Sequence, residues 1–190
     1  VKNNRFDVVE KLVEREEIQL NHLNKSGFSA LHIACQNENV QIVSLLLKLD
    51  GIDVNIKSED NGSTPLHISV LKKMVSSEVK SEVIFNELLN CPKIDTKIKN
   101  DENMTPFLLA VKEGNKNFFL KLMKMPGSSF KDVDINGQTP LHLAARFNHF
   151  EICKLIVETN GDSIDIIQKD NDGWTPLHYA ARNSYEEIVS

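Results

Sequence analysis

The sequence predicts a mostly α-helical fold of stacked helix-turn-helix pairs with β-hairpin loops between them. Three observations predict it: a short phrase recurs along the chain, a turn motif precedes most copies, and two apolar runs follow each copy. The copies begin at Ser29, Thr64, Thr105, Thr139 and Thr175. Their spacings of about 35, 41, 34 and 36 residues are close to the roughly 33-residue period of a small repeating unit.

The recurring phrase predicts the start of a helix in every copy. It reads Thr-Pro-Leu-His in three copies, Thr-Pro-Phe-Leu at Thr105 and Ser-Ala-Leu-His at Ser29. Threonine and serine are good N-cap residues. Proline is tolerated at the first helical position because its missing N–H would lack a partner there in any case. We therefore expect a helix to begin just after each Ser or Thr.

A tight turn is expected just before these helices. Gly27, Gly62, Gly137 and Gly173 supply the positive φ that such a hairpin needs. Asn103 replaces the glycine in the remaining copy, and asparagine is the next best tolerated residue in that conformation. The turn is thus predicted to be weaker in that copy without being lost.

Two short apolar runs after each cap predict two helices in succession. In the copy at Thr139, the first run contains Ala144 and Ala145, and the second contains Ile152 and Ile156. Small residues in the first helix allow close approach, while the second helix supplies bulk. Because no single pair could bury both of its faces, neighbouring pairs must stack.

Turn, capped helix, second helix and a return such as 51–55 form a pattern that resembles the ankyrin repeat over nearly the whole chain. The resemblance implies an ankyrin-repeat solenoid of about five to six repeats, including partial end repeats. We predict one ankyrin-repeat domain over residues 1–190. Its predicted parts are 1–22 (partial repeat), 23–55, 56–97 (with an inter-helix insertion), 98–131, 132–166 and 167–190 (partial repeat).

The repeat at 56–97 is longer than the others by about seven residues, which lie within 71–83 between its two helices. Such insertions form loops or lengthen helices. A tolerated extension is the simpler interpretation, because added surface length costs little closure entropy. A partner-specific protrusion is the alternative, and exposure of Met74 and Val75 would favour it.

Composition excludes several classes of function. The net charge of -5 and the interspersed signs leave no basic stripe, so no nucleic acid partner is expected. No apolar run approaches the roughly 20 residues of a membrane span, so no membrane insertion by this segment is expected. The cysteines (Cys35, Cys91 and Cys153) are odd in number and lack a CxxC partner, which favours reduced thiols in an intracellular, cytoplasmic protein.

The histidines of the phrase do not predict an active site. Each falls in the first turn of a helix, where its ring can bond the capping hydroxyl and a backbone carbonyl of the loop alongside; the resemblance implies the same structural role. Zinc would need ligands within about 2 to 2.3 Å of one ion, which stacked repeats do not provide. No GxxxxGK[ST], GxGxxG, HExxH or GxSxG motif occurs, and His22 and His149 are expected to be surface polar residues. We therefore predict no enzymatic activity, metal or cofactor.

The resemblance implies that partners lie against the hairpin tips and the exposed face of the first helices. The candidate binding residues at such positions are Phe28, Met104, Lys112, Glu113, Arg146, Phe147, Trp174 and Arg182. Aromatic residues with arginine are the usual anchors of a protein interface. The alternative is that single exposed apolar residues are common and need no partner, or that Trp174 packs on the neighbouring hairpin.

These observations favour a non-catalytic scaffold that binds another protein or an extended peptide on its concave surface. The alternative is a regulatory or substrate-recruiting module of a larger enzyme or membrane channel, because neither end of the chain resembles a capping repeat. A third hypothesis is self-association through the end repeats, although we expect a monomer.

Overall fold

The computed structural model of the chain describes residues 4–15, 17–71, 78–160 and 164–182. Ten α-helices lie in these ranges, and no residue within them belongs to a β-strand. The helices are α1 (Asn4–Val13), α2 (Ala30–Gln36), α3 (Val40–Leu46), α4 (Pro65–Val70), α5 (Glu78–Leu89), α6 (Pro106–Lys112), α7 (Lys116–Met123), α8 (Pro140–Arg146), α9 (Phe150–Asn160) and α10 (Pro176–Arg182). They are divided between two compact units, Val1–Asp95 with α1 to α5 and Thr96–Ser190 with α6 to α10.

The predicted helix starts are confirmed. Ser29, Thr64, Thr105 and Thr139 are the N-cap residues of α2, α4, α6 and α8, and each side-chain oxygen accepts a hydrogen bond from the backbone N–H three residues on. Proline follows the cap in α4, α6 and α8, and α10 begins at the proline after Thr175. The phrase therefore sets where the first helix of each pair begins, through contacts that are local in sequence.

The hairpin loops are present as tight turns closed by backbone hydrogen bonds. The N–H of Gly137 donates to the carbonyl of Asp134 at 3.1 Å, with φ of +76° at the glycine. A Cβ at Gly137 would stand 2.5 Å from the side-chain oxygen of Asn171, so any other residue would be strained by the positive φ and would also displace Asn171. Asn103 takes the same left-handed conformation (φ of +58°), and its amide also donates to the carbonyl of Val133 at 2.7 Å. The expected turn at Asn103 is therefore confirmed.

In the unit Val1–Asp95, helices pack in two rows. The first helices α2 and α4 lie against each other, and α1, α3 and α5 form the second row. Within the pairs, α2 packs against α3 and α4 packs against α5. Apolar side chains fill the space between the rows. The fully buried ones include Leu31, Val43, Leu66, Ile84, Phe85 and Leu88.

The unit Thr96–Ser190 repeats this arrangement. Helices α6, α8 and α10 pack side by side, and α7 and α9 pack behind them. Small residues line the first row, where Ala110 and Ala144 are fully buried. The second row supplies large apolar side chains, and Phe119, Leu122 and Ile156 are 0% exposed. Each unit thus consists of stacked helix pairs as the sequence predicts, while the boundaries of the individual repeats stay a prediction.

Part of the predicted insertion is helical. Helix α5 begins at Glu78, inside the predicted insertion, and has 12 residues, compared with 7 in α3, 8 in α7 and 11 in α9. Val79, in its first turn, is 72% exposed. Met74 and Val75, on which the protrusion hypothesis depends, lie outside the described residues.

Candidate partner-binding cleft

Two histidines of the phrase tie a capped helix to the loop that precedes the next one. Nε2 of His32 lies 2.9 Å from the carbonyl oxygen of Ser63, and Nε2 of His142 lies 3.0 Å from that of Trp174. Because a carbonyl only accepts, each Nε2 carries the proton and donates it. Nδ1 of each ring then accepts from its own cap hydroxyl, at 2.9 Å and 2.7 Å respectively.

Burial keeps these two imidazoles neutral. It is the largest influence on the pKa of His32 and of His142 and lowers both, although the carbonyl partners act in the opposite direction. His67 and His178 make the same bond to their cap hydroxyls, at 2.8 Å and 2.7 Å. The predicted structural role of the phrase is confirmed. Among the described residues, no group of three or more His, Cys, Asp or Glu could hold a metal ion.

A cleft of about 540 Å³ opens in the unit Thr96–Ser190, beside α8, α10 and the turns that precede them. Four of the predicted binding residues meet there. The lining consists of Asn136, Gln138, Arg146, Phe147, Asp172, Trp174, Tyr179 and Arg182. Helix α8 ends at Arg146 and α10 ends at Arg182, which brings the two cations to the same side of the unit because the two helices pack against each other.

Both guanidinium groups of the cleft lie over aromatic rings. That of Arg146 is 5.5 Å from the ring centre of Phe147 and 5.7 Å from that of Tyr179. That of Arg182 is 5.4 Å from the ring centre of Trp174. These distances are within the roughly 6 Å at which a cation is attracted to an aromatic face. The rings therefore orient the two cations at the wall of the cleft.

A chain of buried polar groups supports this wall from behind. The amide of Gln138 donates to the hydroxyl of Tyr179 at 2.8 Å, and that hydroxyl donates to Asp170 at 2.7 Å. The amide oxygen of Gln138 accepts from Arg146 at 3.1 Å. Side chains from α8, α10 and both preceding turns are thus joined into one network, which restricts their rotamers.

The network also shifts the pKa values of Tyr179 and Asp170. Burial, reinforced by the hydrogen bond to Asp170, raises the pKa of Tyr179 to about 12. Burial alone would raise the pKa of Asp170, but the hydroxyl of Tyr179 and the N–H groups of Trp174 and Asp172 outweigh it and lower that pKa. At neutral pH the tyrosine therefore donates and the aspartate accepts, as the distances require.

Prediction from sequence missed Gln138, Tyr179 and Asp170 as parts of this site. Tyr179 stands where the copy at Thr139 has Leu143, so a hydroxyl in an apolar position of the first helix is a usable indication. Gln138 is 1% exposed. The sequence marks Gln138 only as the residue after a turn, and nothing within its own repeat indicates a partner 41 positions away.

One predicted anchor is wrong. Met104 was expected at the surface, but its side chain is 2% exposed and belongs to the core. Phe147 is 39% exposed, and Trp174 is half-buried with its ring 5.1 Å from that of Tyr179, so Trp174 both packs on a neighbour and lines the cleft. Burial of Met104 removes it from any surface that a partner could touch.

The remaining predicted residues do not line this cleft. Lys112 and Glu113 are half-buried at the end of α6, where Lys112 pairs with Glu102 at 2.8 Å. Phe28 belongs to the other unit, where it packs edge-on against the ring of His32 at 5.9 Å. It lines a separate cavity of about 700 Å³. The structure thus gathers only Arg146, Phe147, Trp174 and Arg182 of the predicted set.

His149 was expected to be a surface polar residue, and the structure adds a contact that the sequence did not predict. It is half-buried, and its Nε2 lies 2.9 Å from the carbonyl oxygen of Lys112. Its ring covers Gly114, where a Cβ would meet it at 2.3 Å. The residue links the ends of two repeats, whereas His22 is exposed as expected.

The cysteines are free thiols, and two of them are core residues. Cys35 and Cys153 are buried, while Cys91 is half-buried. Burial raises the pKa of the Cys35 thiol above its usual range and that of Cys153 to about 12. Both are therefore protonated and weakly nucleophilic at neutral pH.

Comparison with known proteins identifies the repeats. A family model described as ankyrin repeats matches residues 1–79, 73–168 and 119–190. The chain is similar to alpha-latrocrustotoxin-Lt1a of Latrodectus tredecimguttatus, with 31% identity over 149 residues, which are 70% of this chain and 10% of that protein. It is also similar to the SMC5-SMC6 complex localization factor protein 1 of Homo sapiens, with 29% identity over 147 residues, or 77% of this chain and 10% of that protein.

A third relative is the NAD-dependent deacetylase sir2B of Dictyostelium discoideum, with 22% identity over 178 residues, or 89% of this chain and 22% of that protein. The chain therefore spans about a tenth of the first two relatives and about a fifth of the third. Within the described ranges, none of the helices is long and apolar enough to cross a membrane.

Proposed function

Because this chain belongs to the ankyrin-repeat family, we propose that it is a non-catalytic scaffold that binds a protein or an extended peptide at the cleft between α8 and α10. Ankyrin repeats are in general protein-protein interaction modules. The proposal adds the place of binding. It also includes a monomeric state, no nucleic acid partner and a reducing, cytoplasmic compartment.

The observation that carries the proposal is the convergence of Arg146, Phe147, Trp174 and Arg182 on one cleft. Tryptophan and arginine are the residue types most enriched among interface hot spots, and hot spots cluster. A polar network holds the wall in place, so little ordering entropy would be lost on binding. Phe147, at 39% exposed, adds an apolar contact at the rim.

Replacement of the cleft's aromatic side chains tests the proposal. Trp174→Ala and Phe147→Ala are each expected to weaken partner binding by more than about 1 kcal/mol, since each removes a hot-spot side chain. The backbone carbonyl of Trp174 that His142 bonds is kept in Trp174→Ala. Far-UV circular dichroism and the melting temperature should stay close to those of the parent chain.

The assay compares proteins retained from a cell lysate by three immobilised chains. The control is Ile135→Ala, because Ile135 is 61% exposed in the same unit and does not line the cleft. Proteins held by the parent and by Ile135→Ala but lost from Trp174→Ala are cleft-dependent partners. Equal retention by all three chains would show that the cleft is not the binding site.

A second candidate function follows from the lengths of the relatives. The chain covers 22% of a protein named as a deacetylase and 10% of the toxin. The repeats are accordingly a candidate regulatory or substrate-recruiting module of a larger enzyme or membrane channel. Sequencing the transcript on both sides of this segment tests it: an adjoining catalytic domain or membrane span would favour this function, and its absence would favour a free adaptor.

A further inference from the structure

Among the described residues, the positive charge of the cleft comes from arginine. The two cationic side chains in its described lining are Arg146 and Arg182. Lysine is a strongly hydrated point charge, whereas the guanidinium is planar and presents its donors in a fork that matches a carboxylate. The chemistry of both cations is therefore suited to a planar anion.

The setting of the two guanidinium groups favours the same ligand. Each lies over an aromatic ring, at 5.4 Å for Arg182 on Trp174 and 5.5 Å for Arg146 on Phe147. A ring against one face of a guanidinium leaves its N–H donors pointing along its edges. Gln138 accepts one bond from Arg146 and thereby fixes its orientation. An anion bound in the cleft would meet preorganised donors, which reduces the entropy lost on binding.

The described charges around the cleft favour an anion of low charge. Arg146 and Arg182 line the cleft together with Asp172, and the ionised Asp170 lies behind Tyr179. Because these two carboxylates offset much of the positive charge of the arginines, a singly charged side chain would be repelled less than a doubly charged phosphate. Since the whole chain carries a charge of -5, attraction must act at short range.

We propose that the cleft recognises the side-chain carboxylate of an Asp or Glu within an extended peptide segment, held by Arg146 and Arg182 beside the ring of Trp174. This inference rests on the proposed function and specifies the chemistry of the partner. The aromatic rings contact the neighbouring residues of the segment, and the guanidinium donors bind the acid.

The test begins with selection from a displayed library of random decapeptides on the whole chain. Peptides that also bind Trp174→Ala are discarded. Enrichment of one acidic position among the remaining peptides is expected. Cleft-dependent peptides without an acidic position would overturn the carboxylate inference and leave the proposed function standing. Failure to enrich any cleft-dependent peptide would overturn the carboxylate inference, while the lysate assay still decides the proposed function.

The second step measures a selected peptide against variants by fluorescence. Trp174 is the sole tryptophan of the chain and lies in the cleft, so its emission reports binding directly. Changing the acid of the peptide to its amide (Glu to Gln) is expected to raise Kd by about tenfold or more, since a hydrogen bond to a charged group is lost. The ratio of the Kd values for the amide and the acidic peptide, which we call the discrimination, should fall below about threefold in Arg182→Gln.

Three comparisons complete the design. Arg182→Lys keeps the charge and loses the fork, so it should recover only part of the discrimination. Arg15→Gln makes the same change of charge at an exposed residue of the other unit and should leave Kd unchanged. Equal discrimination in Arg182→Gln and the parent would overturn the inference. So would a phosphoserine peptide that binds more than about tenfold tighter than the acidic one, because it would indicate a doubly charged ligand.

Discussion

The repeats capped by Thr105 and Thr139 share one backbone arrangement but differ in the side chains at two corresponding buried positions. Both begin with Thr-Pro, and the residues before the two caps, Met104 and Gln138, are both buried. In the Thr105 repeat, Leu108 replaces the histidine and is 0% exposed. The same repeat also contains a cluster of three phenylalanine rings, with centres 5.3 to 6.4 Å apart: Phe107, Phe119 and Phe130.

The Thr139 repeat uses hydrogen bonds in the corresponding places. His142 bonds its cap and the carbonyl of Trp174, while Gln138 bonds Tyr179 and Arg146. Apolar packing stabilises a repeat but presents no hydrogen-bonding group to a partner. A polar network fixes the orientation of side chains that stay partly exposed. The cleft accordingly lies at the polar repeat and its neighbour.

The largest expected effect is on the apolar repeat. Phe119→Ala should lower the free energy of unfolding by about 3 to 5 kcal/mol, because it removes a fully buried ring that stacks on Phe107 and leaves a cavity. Urea unfolding followed by circular dichroism measures it. The exposed Ile135→Ala serves as control and should stay within about 0.5 kcal/mol of the parent. A loss below about 1 kcal/mol in Phe119→Ala would show that the ring cluster is not what holds this repeat.

The polar repeat should respond to loss of its histidine. His142→Leu is expected to cost about 1 to 3 kcal/mol in urea unfolding, because the carbonyl of Trp174 and the hydroxyl of Thr139 lose their partner in a buried place. The matched change His178→Leu should cost less, since His178 is exposed. If the chain tolerated His142→Leu without loss, as the Thr105 repeat tolerates its natural leucine, hydrogen bonds would not be what distinguishes the two repeats.

Acid should lower the free energy of unfolding by protonating the imidazoles of His142 and His32. The folded pKa values of His142 and His32 are lowered below 6.5, so their contribution to stability is complete above that pH and is lost as the pH falls. The slope is at most about 1.4 kcal/mol per pH unit for each ring. Urea midpoints measured from pH 8 to pH 5 check this. The decline should be shallower in His142→Leu, and an unchanged decline would exclude that ring as a cause.

Tyr179→Phe should cost about 1 to 2 kcal/mol at neutral pH. Asp170 keeps its backbone donors after the hydroxyl is gone, but the buried amide of Gln138 loses the acceptor of its hydrogen bond. At alkaline pH, the raised pKa of Tyr179 determines how the free energy of unfolding changes. The parent chain keeps the contribution of the tyrosine hydroxyl below pH 10 and loses it as the pH rises through about 12. The variant should lack that loss in urea unfolding. The same alkaline decline in both chains would assign it to other groups.

The smallest expected effect concerns a surface ion pair. Lys116 and Glu151 join α7 to α9 at 3.0 Å, but their side chains are 46% and 62% exposed. Lys116→Ala should therefore change the free energy of unfolding by less than about 0.5 kcal/mol, and high salt should remove even this difference. A larger cost would mean that charges contribute to the stacking of the second helices.

Much of the local structure was predictable from sequence. Caps such as Thr139 and turns such as that at Asn103 depend on residues at most a few positions away, and the structure has them where they were expected. The residues whose roles the sequence did not indicate have partners that are remote in sequence. Tyr179 meets Gln138 from 41 positions away, and His149 meets Lys112 from 37. Sequence patterns within one repeat carry no information about such pairs.

The sequence by itself determined the period, the helix starts, the turns and the structural role of the histidines, because each follows from contacts inside a repeat or from its recurrence. The tertiary structure decided which of the variable positions face solvent. Met104 and Trp174 both follow a turn, yet one is 2% exposed and the other lines a cleft. The reason is that burial at this position depends on the side chains that the neighbouring repeat places against it, and these differ from repeat to repeat.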